Sequence, residues 1–116
     1  MSEFVDYLHE VFERFGAITA RKMFGGYGLY HDGLMFGLVS NDMLYLKADA
    51  ENAGYFEEQG LGRFEYSRDG KTRSMAYYLA PAELMEDREL AALWARRSYG
   101  AALRGASAKK KSSAPK

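Results

Sequence analysis

The stretch from Thr19 to Ala48 constrains this chain more than any other, because it is apolar and glycine-rich and is broken twice by two-residue turn signals. Asp32-Gly33 is a strong hairpin dipeptide, and Asn41-Asp42 makes a second tight turn. The run therefore divides into three strands, about Thr19–Tyr30, Leu34–Ser40 and Met43–Ala48, in an antiparallel meander. A two-residue loop also sets which residues lie opposite each other. Around Asn41-Asp42, Val39 faces Leu44, Leu38 faces Tyr45 and Gly37 faces Leu46. Around Asp32-Gly33, Tyr30 faces Met35, Leu29 faces Phe36 and Tyr27 faces Leu38. One sheet face is then expected to carry Tyr27, Leu29, Phe36, Leu38 and Tyr45, and the other Tyr30, Met35, Val39, Leu44 and Leu46.

Both of those faces are apolar. An antiparallel sheet covered on one side should instead show polar residues on its other side. The expectation is that helices cover one face while a protein partner, or a second copy of the chain in a homodimer, covers part of the other. Tyr27, Leu29, Phe36, Leu38 and Tyr45 are the candidate partner-binding residues.

The flanking segments supply the helices. Phe4, Val5, Leu8, Val11, Phe12 and Phe15 recur at helical spacing, with Ser2 placed to cap the start and Gly16 to stop the helix. Asp49 to Gly60 reads as a short helix with Asp49 as its N-cap. A second hairpin spans Arg63 to Leu79 and turns at Asp69-Gly70. Phe64, Tyr66, Met75, Tyr77 and Leu79 share one of its faces, and Glu65, Ser67, Thr72 and Ser74 the other. The last helix begins at Pro81, or after a short turn with Asp87 as its cap. Leu90, Leu93, Trp94 and Ala101 carry it to about Arg104, with Trp94 on the apolar side. The order α-βββ-α-ββ-α predicts a two-layer α+β fold with a five-stranded antiparallel sheet. Residues 1–104 form one domain, and residues 105–116 a disordered basic tail.

Hydrophobic residues make up 47% and aromatics 15% of the chain, too many for a disordered body. With no cysteine, disulfides, thiol catalysis and cysteine-ligated metals are excluded. The start has no signal-peptide pattern, and no apolar run approaches a membrane span, so the cytoplasm is the expected location. Net charge is zero, but four of the 16 basic residues are Lys109, Lys110, Lys111 and Lys116, leaving 12 basic against 16 acidic elsewhere. A body of that sign repels polyanions. Arg63, Arg68, Lys71 and Arg73 on the second hairpin are the candidate nucleic-acid contacts, with the tail as a second one. The plainer role for those hairpin cations is protection of an edge against sheet-to-sheet pairing.

Chemistry is harder to find. Gly25-Gly26-Tyr27-Gly28 is no dinucleotide loop, because His31 stands where the third glycine belongs. Glycines within a strand mark a bulge or a close backbone approach. His9 and His31 are too few for a metal site and are expected at the surface. Glu57-Glu58 and Glu86-Asp87 read as solvated helix surface and caps. No catalytic residue, cofactor or metal is expected.

Arg21-Lys22-Met23-Phe24-Gly25-Gly26-Tyr27-Gly28 resembles the opening motif of the TfoX/Sxy N-terminal domain family. Gly33-Leu34-Met35-Phe36-Gly37-Leu38-Val39, Leu44-Tyr45-Leu46-Lys47-Ala48-Asp49 and Met75-Ala76-Tyr77-Tyr78-Leu79-Ala80-Pro81 continue the resemblance, as do Leu90 and Trp94. The resemblance implies a two-layer α+β fold similar to secretion-chaperone-like domains. It also implies a non-enzymatic regulatory role, as in transcriptional co-activators of natural competence. Those regulators carry a second, C-terminal domain, and this chain is expected to be a single-domain member lacking it.

Overall fold

A computed structural model describes residues 2–23, 25–68 and 70–112, leaving aside the side chains at 68, 72–74 and 109–112. The elements are α1 (Glu3–Val11), β1 (Thr19–Met23), β2 (Gly26–His31), β3 (Leu34–Ser40), β4 (Met43–Lys47), α2 (Ala53–Glu57), β5 (Arg63–Arg68), β6 (Lys71–Leu79), a 3-10 turn (Ala82–Met85) and α3 (Arg88–Ser112). The strands form one antiparallel sheet in the order β1-β2-β3-β4-β6-β5.

That sheet has six strands where five were expected. The segment from Thr19 to Tyr30 is itself a hairpin, with Thr19 opposite Tyr30 and Met23 opposite Gly26. Gly25, at φ +77°, supplies a left-handed residue for the reversal. Phe24 beside it lies outside the described residues. A glycine pair inside an apolar run reads equally well as a bulge, which hid the turn from pattern reasoning.

The two tight turns are where the sequence puts them. Asp32 and Gly33 have φ of 48° and 81°, and Asn41 and Asp42 have 52° and 57°. Both turns thus have the paired positive φ angles suited to two-residue hairpins. The β3–β4 register is as expected, with Gly37, Leu38 and Val39 opposite Leu46, Tyr45 and Leu44. The β2–β3 register begins as expected at Tyr30–Met35 and then shifts, so that Leu29 lies opposite Gly37 and Tyr27 opposite Val39. Phe36 is the extra residue of a β-bulge. The expected pairs Leu29–Phe36 and Tyr27–Leu38 are corrected accordingly. Asp69, in the second hairpin's turn, lies outside the described residues, while Gly70 has φ +75°.

All three helices pack on one side of this sheet. Val5, Leu8, Val11 and Phe12 at α1, Phe56 of α2 and Trp94 of α3 share a core with Leu29, Phe36, Val39, Leu44, Leu46 and Tyr78. Phe36 sits 5.5 Å from the Phe12 ring and 5.1 Å from Phe15, and Trp94 sits 5.0 Å from Phe56. Ser2 caps α1 as expected, its Oγ accepting from the Val5 amide at 3.1 Å. His31 is not the surface residue expected. Its ring is half-buried between Phe15 and Tyr99, at 4.5 and 4.9 Å, with Nδ1 2.7 Å from the Ala17 carbonyl.

Asp87 caps α3, accepting from the Glu89 and Leu90 amides, while Pro81 precedes the 3-10 turn. The helix continues to Ser112, so residues 105–112, expected as disordered tail, are helical. Asp49 accepts from the Glu51 and Asn52 amides, as a cap does, at the turn that leads into α2, and it is also part of a cross-link. Arg104 donates to both Asp49 carboxylate oxygens, at 2.6 and 2.9 Å, and lies 2.9 Å from Glu51. Buried Asn52 completes the junction. It accepts from the Asp49 amide and donates to the Lys47 and Arg97 carbonyls.

Two predictions follow from this packing. Trp94→Ala should lower stability by about 3–5 kcal/mol, and a urea melt matching the parent would contradict its place in the core. The Arg104 hydrogen bonds hold the Asp49 carboxyl below its ordinary value of 3.8. A depressed folded-state pKa adds stability above the unfolded value, and that stability is lost as pH falls past it. Arg104→Met should therefore flatten part of the stability loss below that pH, and unchanged slopes between parent and variant would refute the link.

Candidate functional site

Packing the helices on one side leaves the other side of the sheet free of helices among the described residues. Alternation from the paired registers puts Met23, Leu38, Tyr45, Tyr77 and Leu79 there, with Met35 across from Tyr30. The second hairpin extends the same surface, because β6 joins β4 with Tyr45 opposite Leu79 and Lys47 opposite Tyr77. Phe64 meets Tyr45 edge-on at 4.9 Å, and Tyr66 stacks beside Phe64 at 6.4 Å.

The glycines of β2 form the floor. A Cβ on Gly28 would lie 2.6 Å from Met23 Sδ and 3.0 Å from the Tyr30 ring, so these side chains close over the bare backbone. A Cβ on Gly26 would lie 2.0 Å from the Val39 carbonyl oxygen. Gly26 is therefore the close approach between strands that a glycine in this position suggests. Between them is an apolar cleft of about 30 Å³ lined by Met23, Met35, Leu38, Phe64 and Met75 among others. It is far below the several hundred Å³ of typical small-ligand pockets.

Exposure grades across this face. Leu38 and Tyr77 are sheltered by neighbouring strands, at 6% and 5% exposed, whereas Tyr66 is 38% exposed. Met23, Met35, Tyr45, Phe64 and Met75 are half-buried. Burial pushes the Tyr77 phenol up to about 12, with Tyr30 adding to the shift, so Tyr77 stays neutral.

The five candidate partner-binding residues are thus split. Leu38 and Tyr45 lie on the open face. Leu29 and Phe36 are fully buried in the helix-covered core, and Tyr27 packs against it. The bulge at Phe36 causes the split, since it reverses the alternation beyond it. Met23, Met35, Phe64 and Met75 belong to the open face and were not singled out. The apolar face of the second hairpin was legible, but its attachment to β4 was not.

The backbone register sets Arg63 apart from the other three candidate nucleic-acid residues. Arg63 lies opposite Tyr78, its guanidinium 5.8 Å from that ring and 3.5 Å from the Met75 carbonyl. Arg68 opposes exposed Lys71, and Arg73 opposes Tyr66, at the far end of the hairpin. The side chains of Arg68 and Arg73 lie outside the described residues. Among the described residues, no group of three or more His, Asp or Glu could hold a metal ion, and no helix is long and apolar enough to cross a membrane.

Residues 10–102 match the model of the TfoX N-terminal domain. The chain belongs to that family. It is 31% identical over 78 residues to the DNA transformation protein TfoX1 of Aliivibrio fischeri, covering 67% of this chain and 37% of that protein. It is 33% identical over 63 residues to protein Sxy of Escherichia coli, covering 54% of this chain and 30% of that one. The aligned stretches therefore span about a third of these curated relatives. In this chain, the described residues of the glycine-aromatic string beginning at Arg21 belong to the β1–β2 hairpin that floors the open face.

The two floor glycines should differ in their tolerance. Gly26→Ala drives a methyl into a backbone oxygen and should cost about 3 kcal/mol or more. Gly28→Ala meets mainly the flexible end of Met23 and should cost less. Thermal melts giving the reverse order would contradict this account of the hairpin.

Proposed function

We propose that this domain is a non-enzymatic regulatory module that holds a protein partner on the helix-free face of its sheet. The observation that carries the reading is the placement of all three helices on one side, with methionines and aromatics left on the other. An apolar surface of this kind is what association buries. One relative is named as a DNA transformation protein, and on this reading the domain serves regulation of competence genes through a protein contact in the cytoplasm. A helical layer on one side and a partner on the other is also the sense in which the fold is secretion-chaperone-like. A homodimer on the same face is the competing arrangement.

Site-specific photocrosslinking in cells separates these. A benzophenone side chain in place of exposed Tyr66 should capture a protein other than this chain, and one in place of Leu93, exposed on α3, should not. Crosslinks from position 66 only to a second copy would replace the regulatory partner with a dimer. Capture from position 93 alone would put the docking surface on the wrong side.

A further inference from the structure

Acidic side chains gather in the helical layer, where Arg14, Arg88 and Arg104 pair with some of them. Glu3, Asp6, Glu10 and Glu13 stand exposed on and just after α1, in the helical layer. Among the described residues, Glu65 is the only acidic residue in any strand. It opposes Ser74 in register, and strand alternation turns Glu65 away from its neighbour Tyr66. The open face, in contrast, carries basic positions around its apolar centre. The Arg21 guanidinium lies 5.2 Å above the Tyr30 ring, and Lys47 Nζ lies 5.1 Å above Tyr77. Lys71 is exposed beyond Tyr66.

We infer that the partner segment is acidic as well as apolar: a stretch of protein whose aliphatic side chains sit on the methionine-lined centre and whose carboxylates meet Arg21 and Lys47. The inference rests on the docking reading above and adds the chemistry of what docks. Methionines adapt to irregular aliphatic surfaces, so the centre accepts apolar anchors without a deep pocket. Cations at the rim of an interface select partners by charge and reject those of like sign. Single-stranded nucleic acid would also satisfy cations, but it binds through aromatic faces free for base stacking. Here Phe64 is packed between Tyr45 and Tyr66, and the Tyr30 and Tyr77 rings are already covered by Arg21 and Lys47.

Methionine-methyl NMR of the full chain tests this with three probes. They are a short peptide alternating leucine and glutamate, its leucine–lysine counterpart, and an oligothymidine. The acidic peptide should shift the Met23, Met35 and Met75 methyls while leaving Met85, on the helical side, unmoved. It should bind roughly tenfold more tightly than the basic peptide. The double variant Arg21→Glu, Lys47→Glu, checked by its melt to be folded, should reverse that preference. Equal binding of both peptides at these methyls would overturn the charge inference and leave the docking surface standing. Shifts from oligothymidine alone would overturn both. Silence from every probe would overturn this inference, while the crosslink at position 66 still decides the docking reading independently.

Discussion

The bulge that inserts Phe36 into β3 governs the two-sided character of this domain. With Phe36 and Gly37 both opposite the neighbourhood of Leu29, the large ring turns toward α1 and meets Phe12 and Phe15. Beyond it the alternation is reversed, so Val39 joins the helical side and Leu38 the open one. A regular ladder would have put Leu29, Phe36, Leu38 and Tyr45 on one surface. The helices would then have had to cover a different set of side chains. The core also needs the neighbouring close approach of Gly26 to Val39, because any side chain there would push β2 away from β3.

The helical layer is held to the sheet by apolar packing, but its far end is tied by polar contacts. Arg104, Asp49, Glu51 and Asn52 join α3 to the loop after β4. Asn52 is buried with both ends of its amide satisfied, as a buried polar group requires. The aromatic group of Phe15, His31 and Tyr99 makes a second tie, linking the end of the α1 turn, the β2–β3 corner and α3. These junctions keep the helices on one side of the sheet, which in turn leaves the other side open.

Local signals in the sequence were read well where they act locally. Ser2, Asp87 and the dipeptides at 32–33 and 41–42 specify their caps and turns through their own backbone preferences, and the structure uses them so. The β3–β4 register followed from one such turn. What escaped reading depends on contacts distant along the chain. Gly25-Gly26 gave no sign of whether it bulged or reversed the strand. Nothing near Phe36 announced an extra residue, since its ring is drawn inward by Phe12 and Phe15, just after α1. His31 looked like a turn residue because Tyr99, which covers it, comes from the last helix. The pairing of β6 with β4 joined two apolar hairpin faces into one surface, and the candidate site was half legible for that reason.

The placement of cations on the open face has a consequence for motion before any contact is made. The chain has zero formal net charge, yet Arg21 and Lys47 stand over aromatic rings on a face whose strands present no described acid. In the field of a charged macromolecule such a body is rotated as it diffuses, so that one side leads at collision. Orientation in flight then raises the fraction of productive encounters, an advantage that counter-ions erode once the approach distance exceeds a Debye length. Electrical neutrality here is a sum, and what another molecule senses is its gradient.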